Sequence, residues 1–259
     1  MTIKTHVFLV VVAALALGSL NGAQAAATAK PEAFQGDYDH CLDLIEARPE
    51  EALAYAQKWA EAAGPKNMAP LHCQSLALNA LGRHEEAARM LSTVALGMTE
   101  APRADQAEAF AQVSDAWFVA GDTKRARVAI DQALALNPTI GYLMARANIR
   151  AVDADWAGVR EDVSLVLSEE PNSVEALVLR ASASRNLGHT ASALADASRA
   201  VDIAPHNLSA LLERGRSRAA SMDMVGARAD WKAVIETATT MGRADDPRAE
   251  AAKIYLKGK

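Results

Sequence analysis

The sequence predicts an all-α protein that is built as a stacked array of helix–turn–helix units. From Leu177 to Pro205, two helical patterns are separated by Gly188 and stop before the proline. The same layout recurs about every 34 residues along most of the chain, and a fixed period of that size is typical of helical solenoids. Alanine is abundant while aromatic residues make up only 5% of the chain, which favours helices that pack closely through small side chains.

The bulk composition limits the class of protein. The 259 residues are enough for one or two compact domains, but a repeat array counts as one elongated body. The formal net charge is −5, which argues against a nucleic-acid-binding surface because such a surface needs clustered lysine and arginine. We therefore expect no nucleic-acid partner.

The first 25 residues have the pattern of a secretory signal peptide. Lys4 supplies positive charge, an apolar segment runs from Val7 to Leu20, and Ala23-Gln24-Ala25 is a cleavage motif. The apolar segment is short for a membrane anchor, which needs about 20 residues, and no later segment is long enough to span a bilayer. We expect cleavage after Ala25, a flexible tail at 26–32 and a soluble mature protein in the periplasm of a Gram-negative bacterium.

The helical units follow in order. Residues 33–67 are expected to form an irregular first repeat, in which Arg48-Pro49 separates two helices. A short helix at 246–257 begins at Asp246-Pro247 and is expected to cap the last apolar face, because terminal repeats need a polar outer side. Between them, five more regular repeats span 68–101, 107–139, 140–173, 174–207 and 208–241, with an insertion at Ala101–Gln106.

Three kinds of residue recur in near-constant register in these repeats. A small residue on the first helix meets a small residue at the start of the second helix, so the two helices can approach closely. A proline then ends the hairpin, because it lacks an N–H and clashes with the preceding turn. The first-helix residues are Ser75, Ser114, Ala147, Ala181 and Gly215; the second-helix alanines are Ala87, Ala126, Ala193 and Ala227; the prolines are Pro138, Pro171 and Pro205.

This register resembles that of the tetratricopeptide repeat (TPR) family over about two thirds of the chain, from Met68 to Ala238. The sequence departs from the family pattern at Val159, which replaces the alanine, and at Ala154 and Met222, which replace the turn glycine. The resemblance implies a right-handed superhelical solenoid whose first helices line a concave groove. It also implies that the protein binds other proteins or peptides.

A pair of opposite charges recurs at one spacing, with an arginine followed sixteen residues later by an aspartate. A charge near a packed face is costly unless it is paired, so we expect ion pairs that bridge the helices of one hairpin or of adjacent hairpins. A ladder of arginines that binds anions is the alternative interpretation. The three pairs are Arg146 and Asp162, Arg180 and Asp196, and Arg214 and Asp230.

The two cysteines, Cys41 and Cys73, are predicted on the first helices of the first two units. In an oxidising compartment an even number of cysteines favours a disulfide, which would contribute about 3–4 kcal/mol by the chain-entropy relation. Two free thiols are an alternative. A zinc site is another, because His40 and His72 precede the cysteines, although adjacent helical residues point about 100° apart and rarely reach one metal.

The sequence contains no catalytic pattern that we could identify. A Gly-rich phosphate loop, Gly-x-Ser-x-Gly and His-Glu-x-x-His are all absent from it. We therefore expect a protein that is not an enzyme and that has no catalytic residue, no metal and no cofactor.

The concave groove is the expected binding surface. In some members of the TPR family, asparagine and basic side chains in this groove grip a peptide carboxylate, and Asn148, Arg185, Asn186 and Arg216 are the matching residues here. The family's full pattern of lysine and asparagine is not reproduced, so a C-terminal peptide ligand is unsupported. The expected groove residues are Phe118, Met144, Asn148, Val178, Arg185, Asn186, Leu212 and Arg216.

The leading functional hypothesis is a non-enzymatic adaptor that binds a protein or peptide partner of unknown identity in the periplasm. One alternative is a structural accessory subunit of a cell-envelope assembly, bound through its convex face or its ends. A second alternative is a chaperone-like holder of exported chains. The sequence predicts no stable membrane insertion and leaves the oligomeric state open.

Overall fold

The structure is a computed structural model that describes residues 36–64 and 67–258. These residues form thirteen α-helices and no β-strand, and they belong to one unit of the chain. The expected signal peptide at 1–25 and tail at 26–32 lie outside the described residues. The helices are α1 (Tyr38–Ala47), α2 (Pro49–Ala63), α3 (Ala69–Ala80), α4 (His84–Gly97), α5 (Arg103–Val119), α6 (Thr123–Leu136), α7 (Ile140–Val152), α8 (Trp156–Glu169), α9 (Val174–Asn186), α10 (Thr190–Ile203), α11 (Leu208–Ala220), α12 (Met224–Thr240) and α13 (Pro247–Leu256).

Each helix packs against the next one in the chain, so α1 to α12 form six hairpins and α13 follows the last of them. First helices of neighbouring hairpins also touch, as α1 touches α3 and α9 touches α11. One hydrophobic cluster joins residues from α4 to α7, and another joins residues from α7 to α13. The core is therefore a series of interfaces that neighbouring hairpins share, as expected of a repeat array.

Local sequence accounts for where the helices begin and end. Short polar side chains cap the helices from α6 to α9, α11 and α12 by accepting a hydrogen bond from a backbone N–H of the first turn. The second helices α6, α8 and α10 each end two residues before a proline, at Pro138, Pro171 and Pro205. The capping residues are Asp122, Thr139, Asp155, Ser173, Asn207 and Asp223.

The turn inside a hairpin needs one residue with a left-handed backbone. Gly82, Gly121 and Gly188 occupy this position with φ angles of 73°, 84° and 80°. Ala154 and Met222 replace glycine in two hairpins, and they adopt φ angles of 58° and 66°. The turn geometry is thus kept at the cost of backbone strain, because a side chain disfavours this region.

The insertion expected at Ala101–Gln106 is only partly a loop. Helix α5 begins at Arg103 and runs for 17 residues, so most of the extra residues lengthen the helix. The guanidinium group of Arg103 donates to the carbonyl oxygens of Ala135 and Leu136 at the end of α6, at 3.1 and 3.3 Å. The first helix of this hairpin therefore begins before the repeat boundary that we expected at residue 107.

Candidate functional site

An open cavity of about 510 Å³ lies between the first helices α7, α9 and α11 and the start of α13. We call this surface the inner groove. Its lining mixes apolar side chains with amides, hydroxyls and charged groups, a composition that suits a ligand with both apolar and polar parts. The lining residues are Asn148, Val174, Glu175, Val178, Leu179, Ser182, Asn207, Ser209, Leu212, Glu213, Arg216 and Arg248.

Four of the eight expected groove residues line this cavity, namely Asn148, Val178, Leu212 and Arg216. The other four do not line it. Met144 packs against the hydrophobic cluster that extends from α7 to α13.

The three remaining predicted groove residues do not line the cavity and make other contacts. They are Phe118, Arg185 and Asn186. Phe118 packs against the separate cluster between α4 and α7, so it does not belong to the cavity. Asn186 donates a hydrogen bond of 2.8 Å to the carbonyl oxygen of Ser182 on its own helix. Arg185 is engaged in an ion pair with Glu213, at 2.7 Å between Nε and Oε1.

Glu213 is the charged centre of the groove floor, and its side chain is only 5% exposed. Its two carboxylate oxygens face Arg185 at 2.7 Å and Arg216 at 3.4 Å, so α9 and α11 are joined by a buried ion pair. Glu213 was not among the residues predicted from the sequence. The sequence does place an acidic residue here at the repeat position where the preceding repeat has the apolar residue Leu179, 34 residues earlier.

Helix α13 forms one wall of the inner groove as well as the end of the array. Arg248 donates to Ser209 Oγ at 3.0 Å and to the carboxylate of Asp246 at 2.7 Å. The hydrogen bond from Arg248 lowers the pKa of Asp246 to about 2. The Arg216 guanidinium lies 6.0 Å from the centre of the Tyr255 ring. The expected capping helix therefore also contributes to the site.

The recurring arginines and aspartates face each other inside their hairpins. The shortest distances between guanidinium nitrogen and carboxylate oxygen are 2.6 Å for Arg146 and Asp162, 2.8 Å for Arg180 and Asp196, and 2.6 Å for Arg214 and Asp230. The hydrogen bond to Asp162 raises the pKa of Arg146. These contacts support internal ion pairs over an anion-binding ladder, because each guanidinium group is already bound to an aspartate of its own hairpin.

A second arginine joins two of these pairs. Arg150 donates to Asp162 and to the carbonyl oxygen of Gly158, and Arg218 donates to Asp230 and to the carbonyl oxygen of Gly226. A Cβ atom at either glycine would lie under 3.0 Å from the arginine side chain. This motif was not predicted from the sequence, although both hairpins contain an arginine, a glycine eight residues later and an aspartate four residues after that.

A polar network lies at the N-terminal hairpins. The Tyr38 hydroxyl is hydrogen-bonded to Nδ1 of His72, and Nε2 of His72 is 3.1 Å from Oε1 of Gln112. Burial lowers the pKa of His72 and raises the pKa of Tyr38 to about 12. The network links α1, α3 and α5.

Cys41 and Cys73 form a disulfide between α1 and α3, with 6.3 Å between the Cα atoms, and both residues are fully buried. Within residues 36–64 and 67–258, no group of three or more His, Cys, Asp or Glu side chains is arranged to hold a metal ion. None of the helices in this part of the chain has the length and apolar character that crossing a membrane requires.

No protein-family model matches the sequence, and no curated protein is significantly similar to it. Several solved structures share the fold. The MamA RS-1 ArsTM double mutant is 20% identical, with a TM-score of 0.60 over 71% of this chain and 98% of that chain. YrrB, described as a TPR protein with an unusual peptide-binding site, is 15% identical, with a TM-score of 0.56 over 78% and 97% of the two chains. The C-terminal part of a TPR repeat-containing protein from Cytophaga hutchinsonii is 13% identical, with a TM-score of 0.63 over 85% and 94%.

Proposed function

Because this chain has the all-α fold of a tetratricopeptide-repeat solenoid, we propose that it is a non-enzymatic adaptor that binds a protein or peptide partner. The observation that carries the proposal is the inner groove, where apolar side chains and polar groups face one open cavity. The solved neighbour YrrB is described as having a peptide-binding site, which adds support from a protein of the same fold.

Different residues of the groove supply affinity and orientation. Val178 and Leu212 are half-buried and present apolar surface to the cavity, and covering such surface contributes about 25 cal/mol per Å². Asn148 is exposed beside them and offers an amide to the backbone of a peptide. Arg185 supports the floor by holding Glu213, so it acts on the partner only through the shape of the groove.

We place the adaptor in the periplasm, after export and cleavage following Ala25. The disulfide between Cys41 and Cys73 supports this location, because disulfides persist in oxidising compartments. Fractionation of cells that express the full chain, followed by intact-mass measurement, tests the location. We expect a mature protein that starts at Ala26 in the periplasmic fraction, and an uncleaved chain in the cytoplasm would contradict it.

The groove itself is tested by blocking it without disturbing the core. Asn148→Trp places a bulky ring in the cavity from an exposed position, and Ser164→Trp places the same ring on the exposed surface of α8. The tagged full chain is purified from an envelope extract, and bound proteins are identified by mass spectrometry. We expect a stoichiometric partner that is lost with Asn148→Trp and kept with Ser164→Trp. A partner that both variants keep would place the binding surface elsewhere.

A second candidate function, a structural accessory subunit of an envelope assembly, is favoured by one observation. The turn between α11 and α12 exposes Met222, and the start of α12 exposes Met224 and Val225; Met222 and Val225 are 86% and 84% exposed. Contiguous exposed apolar side chains mark interaction surfaces. A partner that is lost with Met222→Ser/Val225→Ser and kept with Asn148→Trp would support this candidate.

A further inference from the structure

The chemistry of the partner can be derived from the charges along the inner groove. Resting on the proposed function of that groove, we infer that its partner presents an extended segment in which basic side chains alternate with apolar ones. The basic side chains bind Glu108, Asp115 and Glu175, and the apolar ones bind Val178 and Leu212.

The three carboxylates lie at repeat positions that face the groove. Glu175 lines the cavity itself, and Glu108 occupies the same position two repeats earlier. Asp115 lies one repeat before Asn148, at the same repeat position. Asn148 lines the cavity, and so do Ser182 and Arg216, which occupy this position in the next two repeats. The three acids therefore extend the inner groove from α9 towards α5 in two columns of the register, with Glu108 and Glu175 in one and Asp115 in the other. We call these three residues the acidic strip.

In the part of the chain that the structure describes, none of these three acids has an ion-pair partner. The two arginines that line the cavity, Arg216 and Arg248, are paired with Glu213 and Asp246. The first helices α3, α5, α7, α9 and α11 contain no lysine, and every arginine in them already forms an ion pair with a carboxylate or donates to a backbone carbonyl. The engaged arginines are Arg103, Arg146, Arg150, Arg180, Arg185, Arg214, Arg216 and Arg218.

The local electrostatics agree with an uncompensated negative charge. Glu108 accepts a hydrogen bond of 3.0 Å from the Tyr142 hydroxyl. Desolvation and the neighbouring Glu108 raise the pKa of Asp115. Two carboxylates that lie close enough to affect each other would both attract a positive charge placed here. An ammonium or guanidinium group of a partner supplies that positive charge.

The strip also has room for a ligand backbone. Gly141 lies between Glu108 and Glu175 in the repeat register, and a Cβ there would meet only Thr139 Oγ1, at 3.8 Å. Val178 and Leu212 occupy the neighbouring column of the groove. Successive side chains of an extended peptide point to opposite sides. An alternating sequence can therefore direct basic side chains to the column of Glu108 and Glu175 and apolar side chains to the column of Val178 and Leu212. Asp115 lies in the next column beyond Val178 and Leu212.

The test uses short fluorescent peptides as probes of the full chain. One alternates lysine with leucine, a second alternates glutamate with leucine, and a third alternates serine with leucine. Fluorescence anisotropy gives the affinity of each at about 50 mM and about 300 mM NaCl, a range over which exposed charge pairs become screened. We expect the lysine peptide to bind at least about tenfold more tightly than the glutamate peptide at low salt, and this difference to shrink at high salt.

Two variants of equal net charge localise the effect. Glu108→Gln/Asp115→Asn/Glu175→Gln removes the acidic strip, and Glu169→Gln/Asp202→Asn/Glu236→Gln removes three exposed acids from the second helices α8, α10 and α12. We expect the first variant to lose about tenfold in affinity for the lysine peptide and the second to lose almost nothing. Equal losses in both variants, or no preference for the lysine peptide, would overturn the inference.

Measuring the same peptides on Asn148→Trp distinguishes a groove that does not select basic peptides from a groove that does not bind peptides. If all three peptides bind equally and Asn148→Trp abolishes their binding, the groove binds peptides without selecting basic ones. If the lysine peptide alone binds but Asn148→Trp and the acidic-strip variant leave its affinity unchanged, neither the groove nor the strip is the binding surface.

Discussion

At the scale of single residues, buried carboxylates differ in how many arginines hold them. Asp162 and Asp230 are 0% and 3% exposed, and each accepts hydrogen bonds from two arginines. Among the described residues, Asp196 has only Arg180 as its ion-pair partner, and its side chain is 14% exposed. The middle hairpin carries Ser184 where the other two carry the second arginine. The negative charge of Asp196 is therefore compensated by a single arginine.

This dependence predicts the effect of Arg180→Leu. Removing the arginine leaves a mostly buried carboxylate without its partner, so we expect the free energy of unfolding to fall by about 2–3 kcal/mol. Arg180→Leu/Asp196→Leu should recover much of this loss, because no charge is then left behind. Urea unfolding measures both variants, with Arg228→Leu on the exposed surface of α12 as the control. An unchanged midpoint for Arg180→Leu would contradict a structural role for the pair.

At two turns, replacing a single strained residue should raise the stability of the fold, not lower it. Ala154 and Met222 hold φ angles of 58° and 66°, a region that costs a residue with a side chain about 1–2 kcal/mol. We expect Ala154→Gly and Met222→Gly each to raise stability by up to about 1 kcal/mol, despite the greater freedom of glycine in the unfolded chain. Thermal unfolding should show a rise of about 2–4 °C for each.

A matched pair of substitutions checks that explanation. Ala157→Gly lies in the exposed first turn of α8 and should lower stability, because glycine disfavours helices by about 1 kcal/mol. Gly121→Ala places a side chain at a φ of 84° and should also lower it. If Ala154→Gly behaves like Ala157→Gly, the left-handed turn stores no strain.

At the scale of elements, α13 shows how one helix serves both stability and the site. Its N-cap Asp246 accepts hydrogen bonds from Arg243 and Arg248, and Arg248 continues to Ser209 in the groove wall. On its other side, Tyr255 packs 5.2 Å from the Trp231 ring of α12, measured between ring centres. Any change that releases α13 should therefore alter the groove and expose the last hydrophobic interface together.

The attachment of α13 should depend on pH. The hydrogen bond from Arg248 lowers the pKa of Asp246 from 3.8 to about 2, so the folded state favours the ionised carboxylate. The resulting stability is fully present above about pH 4 and is lost as the pH falls through about 2. We expect Asp246→Asn to be less stable than the native chain near neutral pH and the difference to shrink between pH 4 and pH 2. Urea unfolding at several pH values measures it, and a constant difference would contradict this role.

At the scale of the whole molecule, the hydrophobic core is unevenly distributed. The cluster that extends from α7 to α13 is continuous through three hairpins and the helix that follows them, while two small clusters support α1 to α3. The disulfide between Cys41 and Cys73 lies among those small clusters. In repeat arrays stability is close to a sum of local interface contributions, so the N-terminal hairpins should depend most on the cross-link.

Hydrogen exchange measures this uneven distribution. We expect amide protons of α1 to α3 to exchange faster than those of α8 to α12, and reduction of the disulfide to widen the difference. The cross-link joins residues 32 apart, and losing it should cost about 3–4 kcal/mol by the chain-entropy relation. Intact mass before and after reduction confirms the state of the cysteines. An equal increase in exchange along the whole array would mean that it unfolds as one unit.

The sequence by itself determined the helical hairpins and their order, because each boundary depends on local chemistry. Prolines, capping side chains and turn glycines act within a few residues of where they stand, and the 34-residue period follows from them. The same register identified Asn148, Val178, Leu212 and Arg216, which line one cavity in the structure. It also placed Phe118 in the groove, although that ring packs in another cluster.

Only the tertiary structure decided which side chains meet across hairpins. The buried charge of Glu213, held by Arg185 of the preceding hairpin, could not be read from a pattern that repeats within one hairpin. The same is true of the contact from Arg248 to Ser209, residues that are 39 apart in the chain. Such contacts depend on how far each hairpin is rotated against the next, and that rotation results from the packing of many side chains together rather than from any short segment.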